Sequence, residues 1–194
     1  WNGNTNTTAD NMLTISTNQA VNVSAMNCRF SNSATSVFNF AGSTSNSYKL
    51  FLSDCIASGN TARTGAVAYF ENNGDQSITA TNTSFENNSA TLSGGVFSLD
   101  GSSYQRLQNV QLVNCTFLNN TADSFGGAIH LHNANQTVNV TQSEIHNNRV
   151  TNTTQYGSVG SGGFLYSSSG NGNQTILFYG VNITGNSATF GGGV

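Results

Sequence analysis

The sequence predicts an all-β protein with the fold of a right-handed parallel β-helix (solenoid), built from about six coils with three short strands per coil. Segments 82–97 and 114–129 share one order of polar, apolar and glycine residues, and looser copies begin at Cys28, Cys55, Ser143 and Val181. Repeats of roughly 20–50 residues are typical of solenoids. The chain also lacks proline, which cannot donate to the hydrogen-bond ladder of a sheet.

Each coil begins with two strands that can be aligned on one apolar column. That column holds Phe30, Ala57, Phe85, Phe117, Ile145 and Ile183. Two further apolar columns precede it, namely Val23, Leu50, Ile78, Val110, Val138 and Ile176, and then Ala25, Leu52, Ala80, Leu112, Val140 and Phe178. Inward residues alternate within each strand, as β-strands require, and a change of parity between the strands predicts a bend.

Two polar columns follow the apolar column. The first contains only Asn or Gly, at Asn32, Gly59, Asn87, Asn119, Asn147 and Gly185. These residue types tolerate the left-handed conformation best, so we expect a turn with positive φ there. The next position holds Asn60, Asn88, Asn120, Asn148 and Asn186. We predict that these five form an inward asparagine ladder, in which each amide bonds to the amides above and below.

A glycine pair and a third strand complete the coil. The pairs are Gly94-Gly95, Gly126-Gly127, Gly162-Gly163 and Gly192-Gly193, and Gly65 stands alone in the second coil. The inward residues of the third strand are expected to be Phe38 and Phe40, Val67 and Tyr69, Phe97 and Leu99, Ile129 and Leu131, and Leu165. Because stacked coils share one core, residues 1–194 are predicted to form a single β-helix domain.

The composition narrows the classes of function. Asn, Thr, Ser and Gly make up about half of the chain, and the net charge is −3. The five basic residues are scattered and form no stripe that could neutralise phosphates, so nucleic-acid binding is not expected. No long apolar run occurs, so this segment is not expected to insert into a membrane.

Two short motifs resemble a known repeat family. Phe117-Leu-Asn-Asn120 with Gly126-Gly-Ala-Ile129, and Phe85-Glu-Asn-Asn88 with Gly94-Gly-Val-Phe97, resemble the Phe-x-x-Asn and Gly-Gly-Ala-Ile/Leu/Val motifs of the chlamydial polymorphic outer-membrane proteins. The other coils match in part. The resemblance implies a right-handed β-helix at a cell surface, with adhesive or structural work. No autotransporter barrel accompanies the repeats in these residues, and the Asn/Thr/Ser bias is more typical of a glycosylated eukaryotic surface protein.

The sequence contains many candidate sites for N-linked glycans. The Asn-x-Ser/Thr motif occurs at Asn6, Asn22, Asn82, Asn87, Asn114, Asn119, Asn135, Asn139, Asn152, Asn173 and Asn182. None of the ladder asparagines has this motif, because the third residue there belongs to the apolar column. The motif is weak by itself. We interpret these asparagines as outward or corner positions that could carry glycans.

Cysteine and histidine give two further candidates. Cys28 and Cys55 fall on adjacent coils, roughly 4.8 Å apart by strand spacing, which permits a disulfide. The alternative is that Cys28, Cys55 and Cys115 are buried thiols acting as small apolar residues. His130 and His132 share one strand face, but His146 lies in another column, so we expect exposed polar side chains and no metal site.

No catalytic or cofactor-binding residues are predicted. The acids are spread over the coils and form no Asp-Asp or Asp-x-Asp pair in the sequence. Cleavage of polysaccharides needs paired carboxylates or an acidic cluster with a base. We therefore expect that the protein is not an enzyme.

The two ends of the chain suggest a longer assembly. The sequence stops after Gly192-Gly193-Val194, and Trp1 could supply the large apolar residue that follows this motif in other coils. We therefore expect an end-to-end contact between Val194 and Trp1 of a further copy, head to tail, either covalent or between subunits. The alternative is an arbitrary boundary.

The sequence thus favours an extracellular or cell-surface structural protein that forms a glycosylated fibre or rod. The second hypothesis is an adhesin that binds glycans or a host surface through a lateral face. A carbohydrate-active β-helix enzyme is the third.

Overall fold

The computed structural model describes residues 13–17, 19–42, 46–72, 74–101, 105–151 and 160–193, and the described residues contain strands but no helix. The strands are β1 Leu13–Ile15, β2 Val21–Met26, β3 Arg29–Ser31, β4 Phe38–Gly42, β5 Tyr48–Ser53, β6 Ile56–Ser58, β7 Thr61–Thr64, β8 Ala68–Asn72, β9 Gln76–Thr81, β10 Ser84–Glu86, β11 Ser89–Ser93, β12 Phe97–Asp100, β13 Leu107–Val113, β14 Thr116–Leu118, β15 Thr121–Ala122, β16 Ile129–His132, β17 Asn135–Thr141, β18 Glu144–His146, β19 Arg149–Val150, β20 Leu165–Ser168, β21 Gln174–Tyr179 and β22 Asn182–Thr184.

These strands form four parallel sheets, and each strand pairs with the equivalent strand of the next coil. The first sheet has the order β2-β5-β9-β13-β17-β21, and the second has β3-β6-β10-β14-β18-β22. The third sheet is β7-β11-β15-β19, and the fourth is β1-β4-β8-β12-β16-β20. This arrangement is a parallel β-helix, as the sequence predicts.

The observed coils differ from the prediction in the number of strands per coil and in the number of complete coils. Four complete coils each have a strand in all four sheets, and they begin at β5, β9, β13 and β17. β1 and a coil of three strands, β2 to β4, precede them, and β21 and β22 follow. The fourth strand comes from the residues directly after the asparagine ladder, for which the sequence predicted no strand. Backbone groups there find partners on neighbouring coils instead of remaining unpaired.

The predicted registers of the first and second sheets are confirmed. Leu50 pairs with Val23 and Ile78, and Val138 pairs with Val110 and Ile176. The apolar column that begins with Phe30 also pairs as expected, as in Phe85 beside Ala57 and Phe117. The residues two positions before this column pack inward at the bend between the two sheets, and among them Cys55, Thr83, Cys115 and Ser143 are buried.

The predicted register of the fourth sheet is wrong in the second coil. Phe38 pairs with Ala68 and Phe40 with Phe70, so Val67 and Tyr69 are each one position out. The cause is Gly65, which has a φ of 51° and occupies the position of the first glycine of the pair, beside Gly94. Ala66 takes the second position, and Tyr69 therefore faces outward.

The last glycine pair is also shifted by one residue. Gly163 donates from its backbone N–H to the Gly191 carbonyl, and Gly193 lies beside Phe164. The pair is therefore Gly191 and Gly192, not Gly192 and Gly193. The spacing on which the expected contact between Val194 and Trp1 was based is thus one residue off. The expected contact between Trp1 and Val194 lies outside the described residues and stays a prediction.

Left-handed residues mark the corners of every coil. All six residues of the predicted turn column, Asn32, Gly59, Asn87, Asn119, Asn147 and Gly185, have φ between 54° and 66°. A second left-handed column, which the sequence did not reveal, joins the first two sheets and consists of Asn27, Asp54, Asn82, Asn114, Gln142 and Gly180. Asn, Asp and Gly accept this conformation at low cost, and this explains their abundance at the corners.

The core is continuous along the rod and rich in stacked rings. Phe85 and Phe117 stack with centroids 4.7 Å apart, and Phe164 meets Phe117 edge-on at 5.2 Å. Phe40 and Phe70 stack at 4.3 Å. Rings on successive coils therefore form a column, and each coil depends on its neighbours to bury its apolar residues.

Candidate functional site

The ladder asparagines lie where the sequence places them, inside the coil behind the left-handed turns. Asn88 donates through Nδ2 to Asn120 Oδ1 at 3.0 Å and to the Ala57 carbonyl at 3.0 Å. The same bonds recur from Asn60 to Asn88, from Asn120 to Asn148 and from Asn148 to Asn186. Each Oδ1 also accepts a backbone N–H of the preceding coil, so the amides fasten each coil to the next.

A second buried ladder, of glutamines, was not foreseen. Gln108, Gln136 and Gln174 donate through Nε2 to the Oε1 of Gln76, Gln108 and Gln136, at 3.0, 3.1 and 3.0 Å. Gln76, Gln108 and Gln136 are each 1% exposed. The sequence did carry a signal, because each glutamine stands two residues before an inward apolar residue of the first sheet and therefore points inward.

The candidate glycan-bearing asparagines are not equivalent. Asn22, Asn82, Asn87, Asn114, Asn119, Asn173 and Asn182 are exposed, and Asn135 and Asn139 are half-buried. Asn6 and Asn152 lie outside the described residues. Asn114 donates to Asn82 Oδ1 at 2.9 Å, and Asn119 donates to Asn87 Oδ1 at 3.3 Å. These four therefore form two stacked pairs on neighbouring coils, where a glycan on one member crowds the other.

The predicted disulfide is not formed. Cys28, Cys55 and Cys115 are all free thiols in the described chain. Cys28 Sγ donates to the Met26 carbonyl at 3.2 Å, and Cys55 Sγ donates to the Ser53 carbonyl at 3.1 Å. Cys55 Sγ also lies 3.5 Å from the Ala25 carbonyl of the preceding coil. The thiols therefore donate to backbone carbonyls of their own and adjacent strands instead of forming a disulfide. Burial raises the pKa of the Cys55 and Cys115 thiols.

The three histidines separate into two places. His146 lies on the second sheet, where Nε2 contacts Glu144 Oε2 at 2.7 Å and Nδ1 contacts Thr184 Oγ1 at 2.5 Å. His130 and His132 lie on the fourth sheet. Among the described residues, no three His, Cys, Asp or Glu side chains are grouped so as to hold a metal ion.

The strongest candidate site is a groove along the outer face of the fourth sheet. One outward column there contains Asn39, Tyr69, Ser98, His130 and Tyr166, and the next contains Ala41, Glu71, Asp100, His132 and Ser168. The facing wall contains Arg63, Thr64, Leu92, Ser93 and Phe125. We call the space between these columns and that wall the lateral groove.

One end of the lateral groove is an aromatic cavity of about 260 Å³. The ring centroids of Phe125 and Tyr166 are 4.8 Å apart, and His130 stacks with Tyr166 at 5.8 Å and with His132 at 5.9 Å. His132 Nδ1 lies 3.2 Å from Asp100 Oδ1. The cavity thus combines ring surfaces with a carboxylate and an imidazole at its edge.

His130 forms the floor of this cavity as a neutral group. Its side chain is buried, and its Nδ1 lies 3.2 Å from the Ser98 hydroxyl. Burial, and secondarily the neighbouring His132, lowers the pKa of His130 to about 3. At ordinary pH His130 therefore stacks and hydrogen-bonds without carrying a charge.

The other end of the lateral groove is a cavity of about 280 Å³ beside Tyr69, Glu71, Arg63 and Thr64. Burial, followed by the charges of Asp100 and Glu71, raises the pKa of Tyr69 to about 12. The phenol therefore stays protonated and can donate a hydrogen bond.

The fold brings together two acids that the sequence shows as separate. Glu71 and Asp100 are partners in register on β8 and β12. Both project from one face of the same sheet and stand on one side of the groove. Their carboxylates can accept hydrogen bonds from hydroxyl groups of a ligand in the groove.

Residues 114–131 match a family model described as the Chlamydia polymorphic membrane protein repeat. The chain is a β-helix repeat protein similar to that family. The match covers β14, β15 and most of β16, and thus includes the Asn120 step of the ladder, the glycine pair at 126 and 127, and His130 in the lateral groove. Neither the curated proteins nor the solved structures gave a match. The described residues contain no helix that could cross a membrane.

Proposed function

We propose that this chain is the rod-forming part of an extracellular or cell-surface structural protein, whose coils continue head to tail with further copies. The observation that carries the proposal is the pair of buried amide ladders. They bond each coil to the next on two sides of the core, in addition to the sheets. The similarity to a repeat of surface-associated proteins supports the location.

Continuation into a longer rod is supported by the uniform pairing along the chain. The strands of the first and second sheets keep one register from coil to coil, and the ladders reach Asn186 and Gln174 on the last described coil. A coil with the same columns could pair with the edges of β21 and β22. Repeated contacts of this kind do not close on themselves and produce filaments.

The length of the native particle tests this proposal. We expect electron micrographs of the native protein to show straight rods longer than one chain, which spans roughly 29 Å for six coils at the spacing of parallel strands. Sedimentation at increasing concentration provides the independent measurement. Monomers of single-chain length at every concentration would contradict head-to-tail stacking.

We also propose that the rod carries N-linked glycans at exposed, unstacked asparagines. Asn22 and Asn182 project outward from strands of the first and second sheets, and neither has another candidate asparagine in register on the adjacent coil. For protein secreted from eukaryotic cells, we expect a decrease in intact mass on enzymatic deglycosylation. Peptide mapping should find glycans at Asn22 and Asn182, and on at most one of Asn82 and Asn114.

The matched control is the Asn22→Gln/Asn182→Gln variant, whose loss of mass on deglycosylation should be smaller. Protein from this source with the same mass before and after treatment would refute glycosylation. Full occupancy of both Asn82 and Asn114 would refute the steric argument.

A second candidate function is adhesion through a lateral face. The specific observation that favours it is the lateral groove, where one surface cavity collects four rings and a carboxylate. We propose a binding role without catalysis, since Glu71 and Asp100 lie on one side of the groove.

A further inference from the structure

We propose that the lateral groove binds a linear, uncharged oligosaccharide that lies along the rod axis. This inference rests on the second candidate function, adhesion through a lateral face, and does not depend on whether rods assemble. Its residues are Tyr69, Asp100, Phe125, His132 and Tyr166.

The shape of the groove favours a chain over a single sugar. Tyr69, Ser98, His130 and Tyr166 stand in one column on four successive coils, so Tyr69 and Tyr166 lie roughly 14 Å apart at the spacing of parallel strands. Ser98 and His130 are buried between them. A separate cavity lies beside each tyrosine, with volumes of about 280 and 260 Å³. An extended ligand fills both cavities, whereas a monosaccharide fills one.

The chemistry of the lining fits a pyranose. The apolar C–H face of a sugar ring packs on aromatic surfaces, which Phe125 and Tyr166 supply with their centroids 4.8 Å apart. The hydroxyl groups at the edge of a sugar need donors and acceptors together. Asp100 accepts, Tyr69 donates, and His132 presents the ring nitrogen that does not contact Asp100.

The charges around the groove favour an uncharged ligand. Glu71 and Asp100 stand in register on the rim, and Arg63 is the cation among the residues that line the two cavities. His130, in the floor, carries no charge at ordinary pH. Chains of uronic acids or sulfated sugars would place negative groups beside the two carboxylates, which costs binding free energy.

The test begins with an array of neutral, uronic-acid and sulfated oligosaccharides, probed with the whole chain produced without glycans. Neutral linear oligosaccharides should bind, and affinity should rise from the monosaccharide to the tetrasaccharide of the same sugar. Calorimetric titration of the best neutral tetrasaccharide then gives the dissociation constant.

Variants assign the binding to the groove. Tyr166→Ala and Phe125→Ala should each weaken binding about tenfold or more, as expected for an aromatic anchor in a cavity. Tyr166→Phe keeps the ring and should bind nearly as well as the parent. Asp100→Asn keeps the size of the side chain, and weaker binding by this variant would show that the carboxylate contacts hydroxyl groups. Tyr179→Ala is the matched control, because Tyr179 is 70% exposed on the first sheet, away from the groove.

Circular dichroism and the denaturant midpoint show whether each variant is folded, and Tyr166→Phe with Asp100→Asn keeps the test decisive if an alanine variant unfolds. The inference is overturned if no neutral oligosaccharide binds, if Tyr166→Ala binds like the parent, or if Tyr179→Ala loses as much affinity. Preference for the acidic sugars, or binding of unglycosylated peptide alone, also overturns it. In each of these cases rods in micrographs would still support the structural function.

Discussion

Replacing Asn120 with alanine is expected to lower the free energy of unfolding by roughly 3–5 kcal/mol, because several buried polar groups lose their partners together. Asn120 is fully buried and donates through Nδ2 to the Phe85 carbonyl and to Asn148 Oδ1, both at 2.9 Å. Its Oδ1 accepts the backbone N–H and the Nδ2 of Asn88, both at 3.0 Å. The measurement is equilibrium denaturation in urea, and the midpoint should fall.

The control for this variant is Asn22→Ala, which removes the same side chain from an exposed strand position and should change stability by less than about 0.5 kcal/mol. If Asn120→Ala proved as stable as Asn22→Ala, the ladder would be a by-product of stacking and not a source of stability.

Gly127→Ala is expected to cost about 3 kcal/mol or more, or to prevent folding, because the added methyl group meets backbone on the next coil. A Cβ at Gly127 would overlap the Gly163 carbonyl oxygen and lie 2.6 Å from the Arg149 backbone nitrogen. Neither neighbour can withdraw easily, since the Gly163 N–H is bonded to the Gly191 carbonyl at 2.9 Å and the Arg149 N–H to the Asn120 carbonyl at 2.8 Å. Soluble yield and the thermal midpoint measure the effect.

Gly193→Ala provides the matched control. Its Cβ would lie 3.7 Å from Ile183 Cγ2, which is ordinary contact, and Ala128 occupies the equivalent position two coils earlier. Its stability should change by less than about 0.5 kcal/mol. A Gly127→Ala protein with the stability of Gly193→Ala would show that the coils can separate locally, contrary to the close approach at the glycine pair.

The sequence predicts the first two sheets well because their physical requirements recur in each coil. An inward apolar residue, a left-handed turn and a buried amide each leave a recognisable residue type at a fixed spacing. The fourth sheet was predicted less well, because Gly65 has no second glycine beside it to show which member of the pair it is. Ala66 stands where other coils have the second glycine of the pair. The residue type therefore does not show which backbone position residue 66 occupies.

The lateral groove could not be predicted from the sequence in the same way. Its residues come from different coils, and Phe125 comes from a segment whose length varies between coils. Glu71 and Asp100 are far apart in the chain and meet only when the register of β8 and β12 is known. The sequence predicts Tyr69 to face inward, so the ring column of the groove could not be recognised before the register of β8 was known.

The two amide ladders point in opposite directions along the rod. In the asparagine ladder each Nδ2 donates to the coil that follows, whereas in the glutamine ladder each Nε2 donates to the coil that precedes. The electric dipoles of the two amide rows therefore oppose one another. Each added coil therefore extends both rows, and the contributions of the two ladders to the dipole of the rod oppose each other.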